Sequence, residues 1–172
     1  MIMRPGQPLL LPARPAFIWG SLLAALMLDL LPLGRVPWMP DWLAVVLVFW
    51  SIHQPRRVGL VAAFVFGLLL DVHQAARLGQ HALAYTVLIY FSIMLHRRIQ
   101  WFSVPGQAVQ LLPLFAAAHA ITIALRLIGG AALPGWEVLL APVLEAALWP
   151  IVSALLLAPQ RRAPNPDANR PL

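Results

Sequence analysis

The chain has 172 residues, of which 61% are hydrophobic and 10% charged, with a net charge of +6 and no cysteine. Its mean hydropathy is +0.80, whereas soluble domains carry about 25% charged residues, so the composition points to lipid and the length to one domain. Without cysteine there is no disulfide framework, thiol nucleophile or thiolate metal site. The 12 basic residues, all arginine, lie singly or in pairs between apolar runs and build no basic face for nucleic acid.

Residues 1–15, with Arg4 and Arg14 among prolines, read as a flexible cytoplasmic arm. Ala16–Leu33 is too long an apolar run for a signal-peptide core, and Pro32-Leu33-Gly34 offers no small-x-small cleavage site, so it is read as a first transmembrane helix. Gly34–Pro40 is a turn, and Asp41 is placed to cap a helix over Trp42–His53 that Pro55 ends. A bilayer core of about 30 Å asks for roughly 20 residues. Including Val36–Asp41 is expected to bring this second helix close to spanning length.

A third helix is predicted over Val58–Val72, an outer connection over 73–79, and a fourth helix over His81–His96. Arg97-Arg98 ends it, and Ile99–Gly106 forms an interfacial stretch with Trp101 and Phe102. A fifth helix covers Gln107–Ile128, the turn Gly129–Gly135 follows, and a sixth covers Trp136–Leu157 with a kink expected at Pro150. Residues 159–172 read as a disordered basic tail. The expectation is an all-α integral membrane protein, a six-transmembrane-helix bundle over residues 16–158.

Arginine placement orients the bundle. Arg4, Arg14, Arg56, Arg57, Arg97, Arg98, Arg161, Arg162 and Arg170 fall on one side, and only Arg35, Arg77 and Arg126 on the other. The positive-inside rule then puts both termini in the cytoplasm. Tryptophans support the same boundaries: Trp38, Trp42 and Trp136 fall near the outer one, Trp19, Trp50 and Trp101 near the inner one.

Gly59, Ala63, Gly67 and Asp71 recur every fourth position, which stacks small residues along one helix face for close approach of another backbone, and Gly79 breaks the chain before the next run. The seam serves either internal packing or a partner helix. Asp29, Asp71, His119, Arg126 and Glu145 form a set of intramembrane polar residues, and such groups face protein or water rather than lipid. One reading is a cation or proton path. The other is a structural cluster in which Arg126 pairs with Asp71 or Asp29, His119 bonds across helices, and Glu145 is protonated or paired with His119 or a partner chain. Asp71 with His73 and His81 matches no established metal spacing. No serine has a His–Asp pattern beside it, so no catalytic residue, metal or cofactor is expected.

Pro40-Asp41-Trp42, the apolar run to Trp50, then Pro55, Arg57 and Val58 open an ordered pattern. It continues with Gly67-Leu68-Leu69-Leu70-Asp71-Val72, Leu78-Gly79-Gln80-His81-Ala82-Leu83, Tyr85, Tyr90, Gln107 and Leu148-Trp149-Pro150. From about Pro40 to Pro150 the chain resembles the rod shape-determining protein MreD family, with Phe49 and Val104-Pro105-Gly106 as departures. The resemblance implies a non-enzymatic inner-membrane scaffold of the cell-elongation machinery. Its partners would be MreC directly, and MreB, RodA and its transpeptidase partner in the same complex, linking the cytoskeleton to lateral peptidoglycan synthesis. Anionic membrane lipid would meet the arginines, and a homo-oligomer stays open. The family also resembles in architecture the S components of energy-coupling-factor transporters, so the alternative function is a small-molecule-binding membrane protein.

Overall fold

A helix that is apolar on every side has no face for water and belongs at a centre. Trp42–His53 (α2), with the sequence WLAVVLVFWSIH, is such a helix, and every residue from Leu43 to Ile52 is buried. The computed structural model describes residues 13–31 and 38–160. The expected arm before residue 13, the turn over 32–37 with Arg35, and the tail with Arg161, Arg162 and Arg170 lie outside the described residues.

The other helices are Pro15–Leu30 (α1), Leu60–His73 (α3), Gln80–Ile99 (α4), Val104–Ile128 (α5) and Leu140–Leu157 (α6), and no strand occurs among the described residues. Helix α2 packs against α1, α4 and α6, while α3 bridges α1 to α4 and α5 bridges α4 to α6. Five helices therefore curve around the sixth. Directions alternate: at one end Trp50 of α2 bonds Ser21 near the start of α1, Gln100 after α4 bonds the Ile52 carbonyl of α2, and Trp149 of α6 bonds Gln107 of α5. Arg57 closes the same end by donating to the Ala13 carbonyl at 2.8 Å.

Several boundaries differ from the sequence reading. Helix α1 stops at Leu30 because Leu31 precedes a proline and is extended. Helix α5 begins at Val104, since Pro105 suits a first turn that needs no N–H there. Helix α4 runs through Arg97 and Arg98 to Ile99, cations favouring a helix C-terminus. The second helix does not extend back toward spanning length: residues 38–41 are not helical, and Val36 and Pro37 lie outside the described residues. Twelve residues give α2 a length of about 18 Å.

Val104–Ile128 and Trp136–Gln160 are long and apolar enough to cross a membrane, and α1, α2 and α3 are shorter apolar helices. Trp19, Trp38, Trp101 and Trp136 are exposed, as boundary residues would be. Trp50 is not one of them. It is fully buried, its ring edge-on to Phe17 and Phe49 and its Nε1 donating to Ser21 at 2.8 Å.

Candidate functional site

A helix start leaves its first backbone N–H groups without intrahelical acceptors. Buried among apolar helices, each unbonded group is costly. Helix α2 starts inside the bundle, and carboxylates meet the need. Asp41, the N-cap, accepts from Ala44 at 2.8 Å. Asp29, near the end of α1, accepts from Trp42 at 3.1 Å and from Leu43 at 2.8 Å. Glu145 of α6 accepts from the Asp41 N–H at 3.0 Å. Three carboxylates thus take up four consecutive N–H groups, Asp41 to Ala44.

A second layer holds the first. Tyr85 of α4 donates its hydroxyl to Asp41, and His119 of α5 bonds Glu145 Oε1 at 2.8 Å. Helices α1, α2, α4, α5 and α6 all reach this point.

Helix α4 starts in a similar way. Asp71, near the end of α3, accepts from the N–H groups of Gly79 at 2.9 Å and His81 at 2.8 Å, and from His81 Nδ1 at 2.7 Å. The Ala82 N–H lies 3.4 Å from its second oxygen. Gly79 makes the approach possible with φ +97, a left-handed conformation that glycine adopts without strain. An acidic residue near the end of one helix caps the start of the next in both the α1–α2 and α3–α4 pairs.

Between these ends lies a cavity of about 610 Å³. Asp29, Asp41, Tyr85, His119, Arg126 and Glu145 form part of its polar wall, and Leu70, Ala84, Phe115 and Ile123 part of its apolar one. It sits where the C-terminal halves of α1, α3 and α5 meet the starts of α2, α4 and α6. Glu145 is fully buried, and its Oε2 has no hydrogen-bond partner.

Of the expected polar set, Asp29, His119, Arg126 and Glu145 line this one cavity, and His119 and Glu145 are bonded. Asp71 stands behind it, reaching it through His81. Arg126 pairs with neither Asp71 nor Asp29, and it forms no ion pair among the described residues. Backbone N–H groups already bond both carboxylates. His73 lines the cavity but bonds neither Asp71 nor His81, and no metal-holding group of three or more His, Asp or Glu side chains occurs among the described residues.

Asp41 and Tyr85 are the residues that a search for charges within helices passes over. Asp41 lies just outside α2, and Tyr85 carries no charge. The available signal was a capping residue directly before an entirely apolar, short helix, whose first N–H groups need acceptors inside the bundle.

The small-residue seam faces inward. Ala63, Gly67 and Asp71 are buried, and a Cβ at Gly67 would stand 2.4 Å from Ala82 Cα. The α3 and α4 backbones touch there. Gly59 begins the seam as the N-cap of α3, where a Cβ would meet the Pro55 carbonyl oxygen at 3.8 Å, an ordinary contact.

Residues 13–158 match the family described as rod shape-determining protein MreD. The rod shape-determining protein MreD of Haemophilus influenzae is 24% identical over 131 residues, which cover 76% of this chain and 81% of that protein. No solved structure matches the chain at a significant level. The family match takes in all six helices, the carboxylates that cap α2 and α4, and the cavity between them, and the chain belongs to the rod shape-determining protein MreD family.

Proposed function

We propose that this chain is a non-enzymatic, six-span scaffold of the rod-shape machinery in the inner membrane, with both termini in the cytoplasm. It binds MreC and through that contact links MreB to lateral peptidoglycan synthesis by RodA and its transpeptidase partner. The observation that carries the reading is the family match over residues 13–158. The residue chemistry supports it: Asp29 and Asp71 are engaged in closing helix starts, and apolar side chains such as Val61, Val72, Val109 and Ile151 are exposed on α3, α5 and α6. Those faces suit lipid and a partner's transmembrane helix.

Helix α2 is enclosed by its neighbours, and the α3 seam is filled by α4. Contact with MreC therefore falls on the outward faces of α1, α3, α4, α5 or α6. Photo-crosslinkers at Val61, Val109 and Ile151, in the full chain co-expressed with the MreC of the same genome, test this. At least one position is expected to give a crosslink to the MreC span, and a crosslinker at the buried Val48 none. Absence of co-purification in mild detergent together with no crosslink from any outward face overturns the scaffold reading.

The second reading, a small-molecule-binding membrane protein, draws its support from the 610 Å³ cavity. That volume lies within the range of about 300–1,000 Å³ typical of small-molecule sites.

A further inference from the structure

We infer that the cavity at the start of α2 is a binding site for a small organic cation, an ammonium group carried on an apolar body. The inference rests on the reading of this cavity as a ligand site and gives the ligand its chemical class.

Charge is the first ground. Asp29, Asp41 and Glu145 converge on one helix start, with Arg126 as the one guanidinium on the cavity wall, and it pairs with none of them. Asp29 and Asp41 are half-buried and Glu145 fully buried, and carboxylates gathered at one helix start repel. The partial positive charge of the α2 N-terminus, about half a unit, and the His119 ring on Glu145 Oε1 reduce that repulsion without using Glu145 Oε2.

Unfilled hydrogen-bonding capacity is the second ground, and it is independent of the charge count. Glu145 lines the cavity and is fully buried, yet only its Oε1 is used, by the Asp41 N–H and by His119. Oε2 is left with no partner. Native structures rarely leave a buried acceptor empty without a reason. His81 also lines the cavity, its Nδ1 held by Asp71. Glu145 Oε2 asks for a donor.

Shape is the third ground. Each carboxylate is drawn toward a different N–H of α2, so the acceptors are spread over the wall and do not converge on a point as metal ligands do. An ammonium, with three donors on a compact charge, can use spread acceptors. The apolar wall of Leu70, Phe115 and Ile123 receives the carbon body.

The test is calorimetric titration of the full chain in zwitterionic phosphatidylcholine nanodiscs with three probes of similar shape: 2-phenylethylammonium, 2-phenylethanol and phenylacetate. Empty nanodiscs serve as the control. The ammonium is expected to bind at least tenfold more tightly than the alcohol, and phenylacetate not at all. Glu145→Gln should remove at least tenfold of the ammonium's affinity and take less from the alcohol's, whose hydroxyl carries no charge. Thr122→Phe, which fills the cavity from α5, should abolish binding of both.

Equal binding of ammonium and alcohol, lost together in Thr122→Phe, overturns the cation and leaves the ligand cavity standing, with the carboxylates neutralised by protons. Failure of every probe to bind overturns both. If Glu145→Gln does not fold, the three-probe series on the unaltered chain still decides.

Discussion

Asp71 accepts from three backbone N–H groups and one ring nitrogen, and every partner is a donor. An amide in its place offers one oxygen and turns an NH₂ toward groups that also donate. Asp71→Asn is therefore expected to destabilise the fold by about 1–3 kcal/mol, the cost of leaving a buried donor unpaired. Thermal unfolding in detergent reads it, with His81→Ala as the milder comparison because it leaves the backbone N–H bonds to Asp71 intact. Unchanged stability in Asp71→Asn would show that the α4 start tolerates an unmade bond. Of the site, the sequence made Asp41 legible as a cap and Glu145 legible as needing a partner. It did not show that Asp29 and Glu145 serve the same helix start, because that depends on α1, α2 and α6 meeting in space across long separations in the chain. The expected Arg126 ion pair does not form among the described residues: residue charge was visible, but the bonding of each carboxylate to backbone N–H groups was not.

Helix existence was legible at the scale of elements because each apolar run is bounded by Pro, Gly or paired Arg. Depth was not. Helix α2 reads as a short span, yet it is the enclosed centre, and only the burial of its entire length reveals this. The α3 seam was legible as a close-approach face but not as to which neighbour fills it. With α4 in place, Gly67 has no room: a Cβ would meet Ala82 Cα at 2.4 Å and Ala82 N at 2.6 Å, both backbone atoms that cannot swing aside. Gly67→Ala should force α3 and α4 apart and destabilise by about 1–3 kcal/mol, as overpacking does. Gly67→Leu should prevent folding altogether. Gly59→Ala, at the open end of the same spacing, is the matched control and should change stability little. Yield and monodispersity of the three variants in one detergent distinguish internal packing from a partner groove. A folded Gly67→Leu that merely loses MreC would return the seam to the partner.

Alternating helix direction gives the whole molecule two unlike ends. One gathers the cavity, Arg77 and Arg126, and Arg77 donates to the Gly129 carbonyl there, tying the α3–α4 connection to the end of α5. Arg14, Arg56, Arg57, Arg97 and Arg98 lie toward the other end, at the α1 start, the α2–α3 turn and the α4 end. Basic residues are retained on the cytoplasmic side, so the cavity end should face outward, where a soluble cation could reach it without crossing the membrane. The chain has no cysteine, so single cysteines report without background. Leu133→Cys, at the exposed connection before α6 on the cavity end, should react with a membrane-impermeant maleimide once the outer membrane is opened. Trp101→Cys, at the exposed connection after α4, should react only when the inner membrane is also breached. The reverse pattern would invert the bundle, place the carboxylates toward the cytoplasm, and give the cavity a different supply of ligands. Labelling of both from outside would mean that α5, which separates the two positions with α4 behind it, does not cross, leaving the 25-residue apolar length of α5 unexplained.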